Sequence, residues 1–98
     1  MAQVIWGYSL GSCTTVDIPE GGQPLTVQLA YGGHIVLYMR LDPAAPLERR
    51  LFVSRRSTEP IDAAYLYIGT VQLDDDTFHF FEVPSLLADA ATANPGGR

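Results

Sequence analysis

The side chains in this sequence that could do chemistry are few: two histidines, one cysteine, six arginines and eleven acids, with no lysine. His79 stands between Phe78 and Phe80, and a hairpin register can set it opposite Thr70, an arrangement able to hold a general base near neutral pH. No nucleophile or second base lies at a recognisable spacing from it, so His79 reads as a structural, hydrogen-bonded histidine. His34, beside Gly32-Gly33, reads as a solvent-facing hairpin residue. Cys13 follows Gly11-Ser12 and lacks the histidine or CxxC partner of a reactive thiol, which predicts an inert side chain.

Asp74-Asp75-Asp76 offers the carboxylate oxygens that a hard cation wants. Consecutive acids lack the alternate spacing and the distal bidentate glutamate of a calcium loop, so the triplet reads as a solvated turn and no metal is expected. Arg49-Arg50 and Arg55-Arg56 form a patch whose guanidinium forks could hold a phosphate or carboxylate bidentately. In one extended strand Arg50 and Arg56 share a face, and Arg49 and Arg55 share the other. These four arginines are the candidate ligand-binding residues, for an anionic small molecule such as a nucleotide. The competing reading is an edge strand guarded by charge. No catalytic residue and no cofactor are assigned, and the chain reads as non-enzymatic.

Charge is unevenly spread. Residues 40–56 hold five arginines against Asp42 and Glu48, while residues 57–98 hold seven acids against Arg98. The net charge of -5 repels a phosphate backbone at long range, which argues against non-specific nucleic-acid binding. A single cysteine excludes an intrachain disulfide and a multi-cysteine zinc site. No signal-peptide pattern and no apolar run of bilayer length are present, so a soluble protein without membrane contact is expected.

The elements that must position these groups read as strands. The 98 residues are 47% hydrophobic and 17% charged, the balance of one globular domain. The chain is organised around residues 65–83, where two runs rich in aromatic and β-branched side chains flank the three aspartates as a β-hairpin. A register summing to 149 pairs Thr70 with His79, Gly69 with Phe80, Val71 with Phe78, Ile68 with Phe81 and Leu66 with Val83; a three-residue loop shifts it by one, and three aspartates do not decide between the two as Asn-Gly would. Residues 3–10 and 14–18 alternate as strands, with Trp6 assigned to the core, and Pro19 to Gly22 make a turn. Residues 25–31 and 34–41 flank Gly32-Gly33 as a second hairpin, which a two-residue loop pairs as Tyr31 with His34 and Val27 with Tyr38. Residues 42–46 form a loop and 50–56 an edge strand.

The aromatic side chains exceed what one face of a small sheet hides, and Tyr31, Tyr38, Tyr65 and Tyr67 are candidate interface residues for a protein partner or self-association. The expected fold is all-β: a single small antiparallel barrel or sandwich of six to seven strands over residues 1–84. Residues 85–98 are expected to be a short helix beginning at Ser85, or a mobile tail.

Ile5-Trp6-x-Tyr8, Ile18-Pro19-x-Gly21, Leu25-x-Val27-Gln28, Asp42-Pro43-x-Ala45-Pro46, Pro60-Ile61, Ile68-Gly69-Thr70-Val71-Gln72 and Phe78-His79-x-Phe81-Glu82 together resemble a family of small proteins of unknown function encoded by bacteriophages and prophages. The resemblance spans residues 5–82. It departs before Pro60, where Arg56-Ser57-Thr58-Glu59 replaces a glycine-rich approach. It implies a phage setting, with the protein in the host cytoplasm during infection or in the virion, and it assigns no catalytic residue. The expected function is a non-enzymatic binding protein, homo-oligomeric, with anionic-ligand binding or a virion or assembly role as alternatives.

Overall fold

The structure is a computed structural model that describes residues 2–84. Seven antiparallel strands make it up: β1 (Val4–Leu10), β2 (Cys13–Pro19), β3 (Gln23–Leu29), β4 (Ile35–Leu41), β5 (Leu47–Arg56), β6 (Leu66–Leu73) and β7 (Asp76–Val83). They form a three-stranded sheet of order β1-β4-β3 and a four-stranded sheet of order β2-β5-β7-β6. Of barrel and sandwich, this is sandwich-like: the sheets face each other and do not close. The expected helix and tail after Pro84 lie outside the described residues.

Alternation decides which side chains lie between the sheets. Leu10, Ile18, Val27, Leu37, Met39, Leu41, Phe52, Val71 and Phe80 fill that layer, and each is buried. Burying a Leu, Ile or Phe side chain contributes about 1.5–3 kcal/mol, so these nine residues dominate stability. A second, smaller cluster of Val53, Phe81 and Val83, flanked by Leu51 and Tyr65, lies on the outer face of the four-stranded sheet. β7 therefore serves both layers, with Phe78 and Phe80 turned inward and His79, Phe81 and Val83 outward.

The 65–83 hairpin keeps the expected register from Leu73↔Asp76 to Gly69↔Phe80, including Thr70↔His79. It then slips by one at Ile68, so that Tyr67 faces Phe81 and Leu66 faces Glu82, in place of the expected Ile68–Phe81 and Leu66–Val83 pairs. An extra residue on one strand is a β-bulge, and it lets Ile68 pack against the inner core beside Gly69.

Three other expectations are corrected. The β3–β4 loop takes in Tyr31 as well as the two glycines, so Val27 pairs with Leu37 and Thr26 with Tyr38, one position off the two-residue register. Gly32 and Gly33 both sit at φ 85°, and Ala30 N–H closes the loop onto His34 O at 2.6 Å. β5 is an interior strand between β2 and β7, not an edge. Trp6 is 44% exposed: it has the inward parity of Leu10 and Tyr8, but it lies on β1, the edge strand of its sheet.

Candidate functional site

On the outer face of the four-stranded sheet, the β6–β7 register sets Thr70 beside His79. Thr70 Oγ1 lies 2.9 Å from His79 Nδ1, and Ser57 Oγ lies 2.9 Å from His79 Nε2. Tyr67 OH extends the chain to Thr70 Oγ1 at 2.5 Å. The four side chains thus form one continuous hydrogen-bonded row, Ser57–His79–Thr70–Tyr67. Its protons can run in either direction. With Nδ1–H donating to Thr70, Nε2 accepts from Ser57; with Thr70 donating to Nδ1, Nε2–H donates to Ser57.

Each member has a structural origin. Ser57 leaves the end of β5 in a turn held by Glu59 N–H donating to Arg56 O at 3.0 Å and by Arg56 N–H donating to Glu59 Oε1 at 2.6 Å. Tyr67 reaches Thr70 because of the bulge at Ile68. In a regular strand residues three apart point to opposite faces, and the extra residue brings both outward.

Around this row lies a recess of about 360 Å³ lined by Arg55, Arg56, Ser57, Glu59, Ile61, Tyr67, His79 and Phe81. Phe81 is its buried floor, with the Tyr67 ring edge-on at 5.7 Å and the Tyr65 ring tilted at 6.1 Å. The Arg55 guanidinium stacks over Tyr65 at 5.8 Å and donates to Ser54 O at 2.9 Å. No carboxylate among the described residues lies within ion-pair reach of it. Arg56 lies 5.5 Å over the Phe78 ring and 3.5 Å from Asp76, both partners exposed.

The other two candidate arginines are elsewhere. Six residues of extended strand separate Arg49 and Arg50 from Arg55 and Arg56, roughly 20 Å, so the four do not converge on one small ligand. Arg49 is exposed and meets Asp17 at 3.3 Å. Arg50 closes the far end of the inner core: its Nε and Nη2 donate to Glu82 Oε2 and Oε1 at 2.6 and 2.7 Å, and Nη1 donates to Gly22 O at 2.6 Å. The hydrogen bond to Glu82 raises the Arg50 pKa above its ordinary value against the opposing effect of burial. With both carboxylate oxygens engaged, this arginine is occupied in joining β5, β7 and the β2–β3 turn.

The four candidate interface tyrosines fall on separate surfaces. Tyr31 is fully exposed in the β3–β4 loop, and Tyr38 lies on the outer face of the three-stranded sheet over Gly7. Tyr67 lines the recess on the outer face of the four-stranded sheet, and Tyr65 packs on Phe81 there. Cys13 is a free, exposed thiol. Asp74 and Asp75 form the tip of the β6–β7 turn, where Asp74 takes a φ of 58°. No helix among the described residues is long and apolar enough to cross a membrane.

Residues 1–89 match a domain of unknown function, DUF7352, and the chain belongs to that family. No curated protein and no solved structure matches the chain.

Proposed function

We propose that this member of the DUF7352 family is a non-enzymatic binding protein whose recess on the β5-β7-β6 sheet takes an anionic ligand. One observation carries the reading: Arg55, His79 and Ser57 meet at a single recess floored by Phe81 and Tyr67, with Arg56 at its rim and its guanidinium turned to Phe78 and Asp76. Arg55 is held by a ring and a carbonyl rather than by an acid, which leaves guanidinium N–H groups for an incoming anion. The aromatic floor suits a flat apolar portion attached to that anion, the chemistry of a nucleotide. Glu59 also lines the recess, and its Oε1 is engaged by the Arg56 N–H.

In the phage setting that the sequence resemblance implies, such a ligand would be a host signalling nucleotide and the protein would act in the host cytoplasm. Calorimetry with inorganic phosphate and a nucleotide panel tests the site. Binding is expected in the native chain and is expected to fall with Arg55→Ala and His79→Ala. No heat with any of these anions overturns the reading.

A second reading is an interaction module working by self-association or through a protein partner. It is favoured by Ile5 at 61% and Trp6 at 44% exposure on β1, far from the recess. As a virion or assembly component the protein would be found by mass spectrometry of purified particles.

A further inference from the structure

Four strands end the two sheets, and three of them are protected. β3 and β6 face one another across the sandwich, with Gly69 against Val27, and each carries a register shift, between Pro24 and Thr26 and between Tyr67 and Gly69. β2 carries Asp17 and ends in Pro19. Bulges, proline, charge and mutual cover are the devices that keep sheet edges from pairing with other chains. β1 has none of them. Its sequence, VIWGYSL, is uncharged and free of proline, and its seven pairs with β4 run without a shift.

We propose that β1 pairs antiparallel with β1 of a second copy across a two-fold axis at Trp6, joining two three-stranded sheets into one of six strands. This rests on the self-association reading and assigns it a surface. Centred on Trp6, the pairing sets Val4 against Tyr8, Ile5 against Gly7 and Trp6 against its own copy, so every contact is its own reciprocal. Charge selects the occupant. The chain carries -5 overall, yet β1 is neutral, so two copies meet along it without a like-charge contact. Trp6 at 44% and Val4 at 38% exposure lie on this edge, and the pairing brings apolar side chains of the second copy beside them. The pairing joins Val4 to Tyr8 of β1, a small interface of the class below about 1,200 Å² total, where association is weak and concentration-dependent.

Light scattering on the full chain from low to high micromolar concentration, read together with emission of the single tryptophan, tests this. A concentration-dependent dimer is expected, with Trp6 emission shifting to the blue as it forms. Ile5→Lys places a charge on the edge without touching the buried core. It is expected to give a monomer at every concentration, with unchanged circular dichroism and melting of the monomer. A native chain that stays monomeric overturns both the pairing and the self-association reading. A dimer that persists in Ile5→Lys, with Trp6 emission independent of concentration, overturns the β1 pairing and leaves self-association through another surface.

Discussion

Gly69 of β6 lies directly against Val27 of β3: a Cβ built on the glycine would stand 2.9 Å from Val27 Cγ2 and 3.6 Å from Val27 N. The two strands belong to different sheets, so this approach draws the sandwich together on that side. Val27 is 3% exposed and has little room to yield. Gly69→Ala gains some stability by restricting the unfolded chain, about 0.4–1 kcal/mol. Overpacking of about 1–3 kcal/mol outweighs it. A net loss in urea unfolding is expected, and Val27→Ala in the same chain should recover part of the clash while adding a cavity of its own. A Gly69→Ala variant as stable as the native chain would refute the close approach.

The Arg50–Glu82 pair offers a second test. Both side chains are 13% exposed, and the guanidinium meets both carboxylate oxygens. Removing one partner strands the other in a poorly hydrated place. The cost lies between that of surface pairs, below about 1 kcal/mol, and that of fully buried ones, about 3–5 kcal/mol. Arg50→Met and Glu82→Leu are each expected to destabilise by about 2 kcal/mol, with the double variant closer to the native value than the sum of the single losses predicts. Additive losses would show the pair to be uncoupled.

How far these features were legible follows from the period of a strand. In 65–83 alternation turns Phe78 and Phe80 to a common core and His79 to the other face, but Thr70 as its partner depends on a two-residue turn that three aspartates do not specify. The two other members of the site row were not legible. Tyr67 reaches Thr70 through a bulge that breaks the period, and Ser57 arrives from a connection whose path no spacing encodes. The arginine doublets are the converse case. Their parity was correct, but β5 proved interior, so Arg50 is inward and neutralised by Glu82, a partner 32 residues away that periodicity cannot supply. Trp6 shows a different limit: alternation gives the direction of a side chain, not whether its strand lies at the edge of a sheet.

Tyr8 supplies a pH test. It lies partly buried on the inner parity of β1, and burial raises its pKa above the ordinary 10.0. A folded-state pKa above the unfolded value stabilises fully below the unfolded pKa, and that contribution is lost as pH rises through the folded one. Stability is therefore expected to hold through neutral and mildly alkaline pH and to fall above about pH 10, as ionisation of Tyr8 drives unfolding. Tyr8→Phe should shift the alkaline midpoint upward, read by circular dichroism against pH. An unchanged midpoint would remove Tyr8 as a cause.

The last prediction concerns Thr70, the residue whose hydroxyl stands between His79 and Tyr67. Thr70→Val keeps the shape and β-branching while removing the only hydrogen-bond partner of His79 Nδ1 among the described residues. Thr70 is exposed, so water replaces the lost hydrogen bond and stability should change by less than about 1 kcal/mol. The orientation of the imidazole is a different matter. Without Thr70 the ring is held only by Ser57, on an exposed turn, and its two tautomers are no longer tied to a fixed row. Nitrogen NMR of the imidazole is expected to show a changed tautomer ratio, and affinity for the anionic ligand should fall about fivefold, the equivalent of one hydrogen bond of about 1 kcal/mol. Thr70→Ser, which retains the hydroxyl, should restore both. A valine variant with native affinity and an unaltered imidazole spectrum would show that the row does not position His79, and the recess would then have to bind through Arg55 without an oriented imidazole.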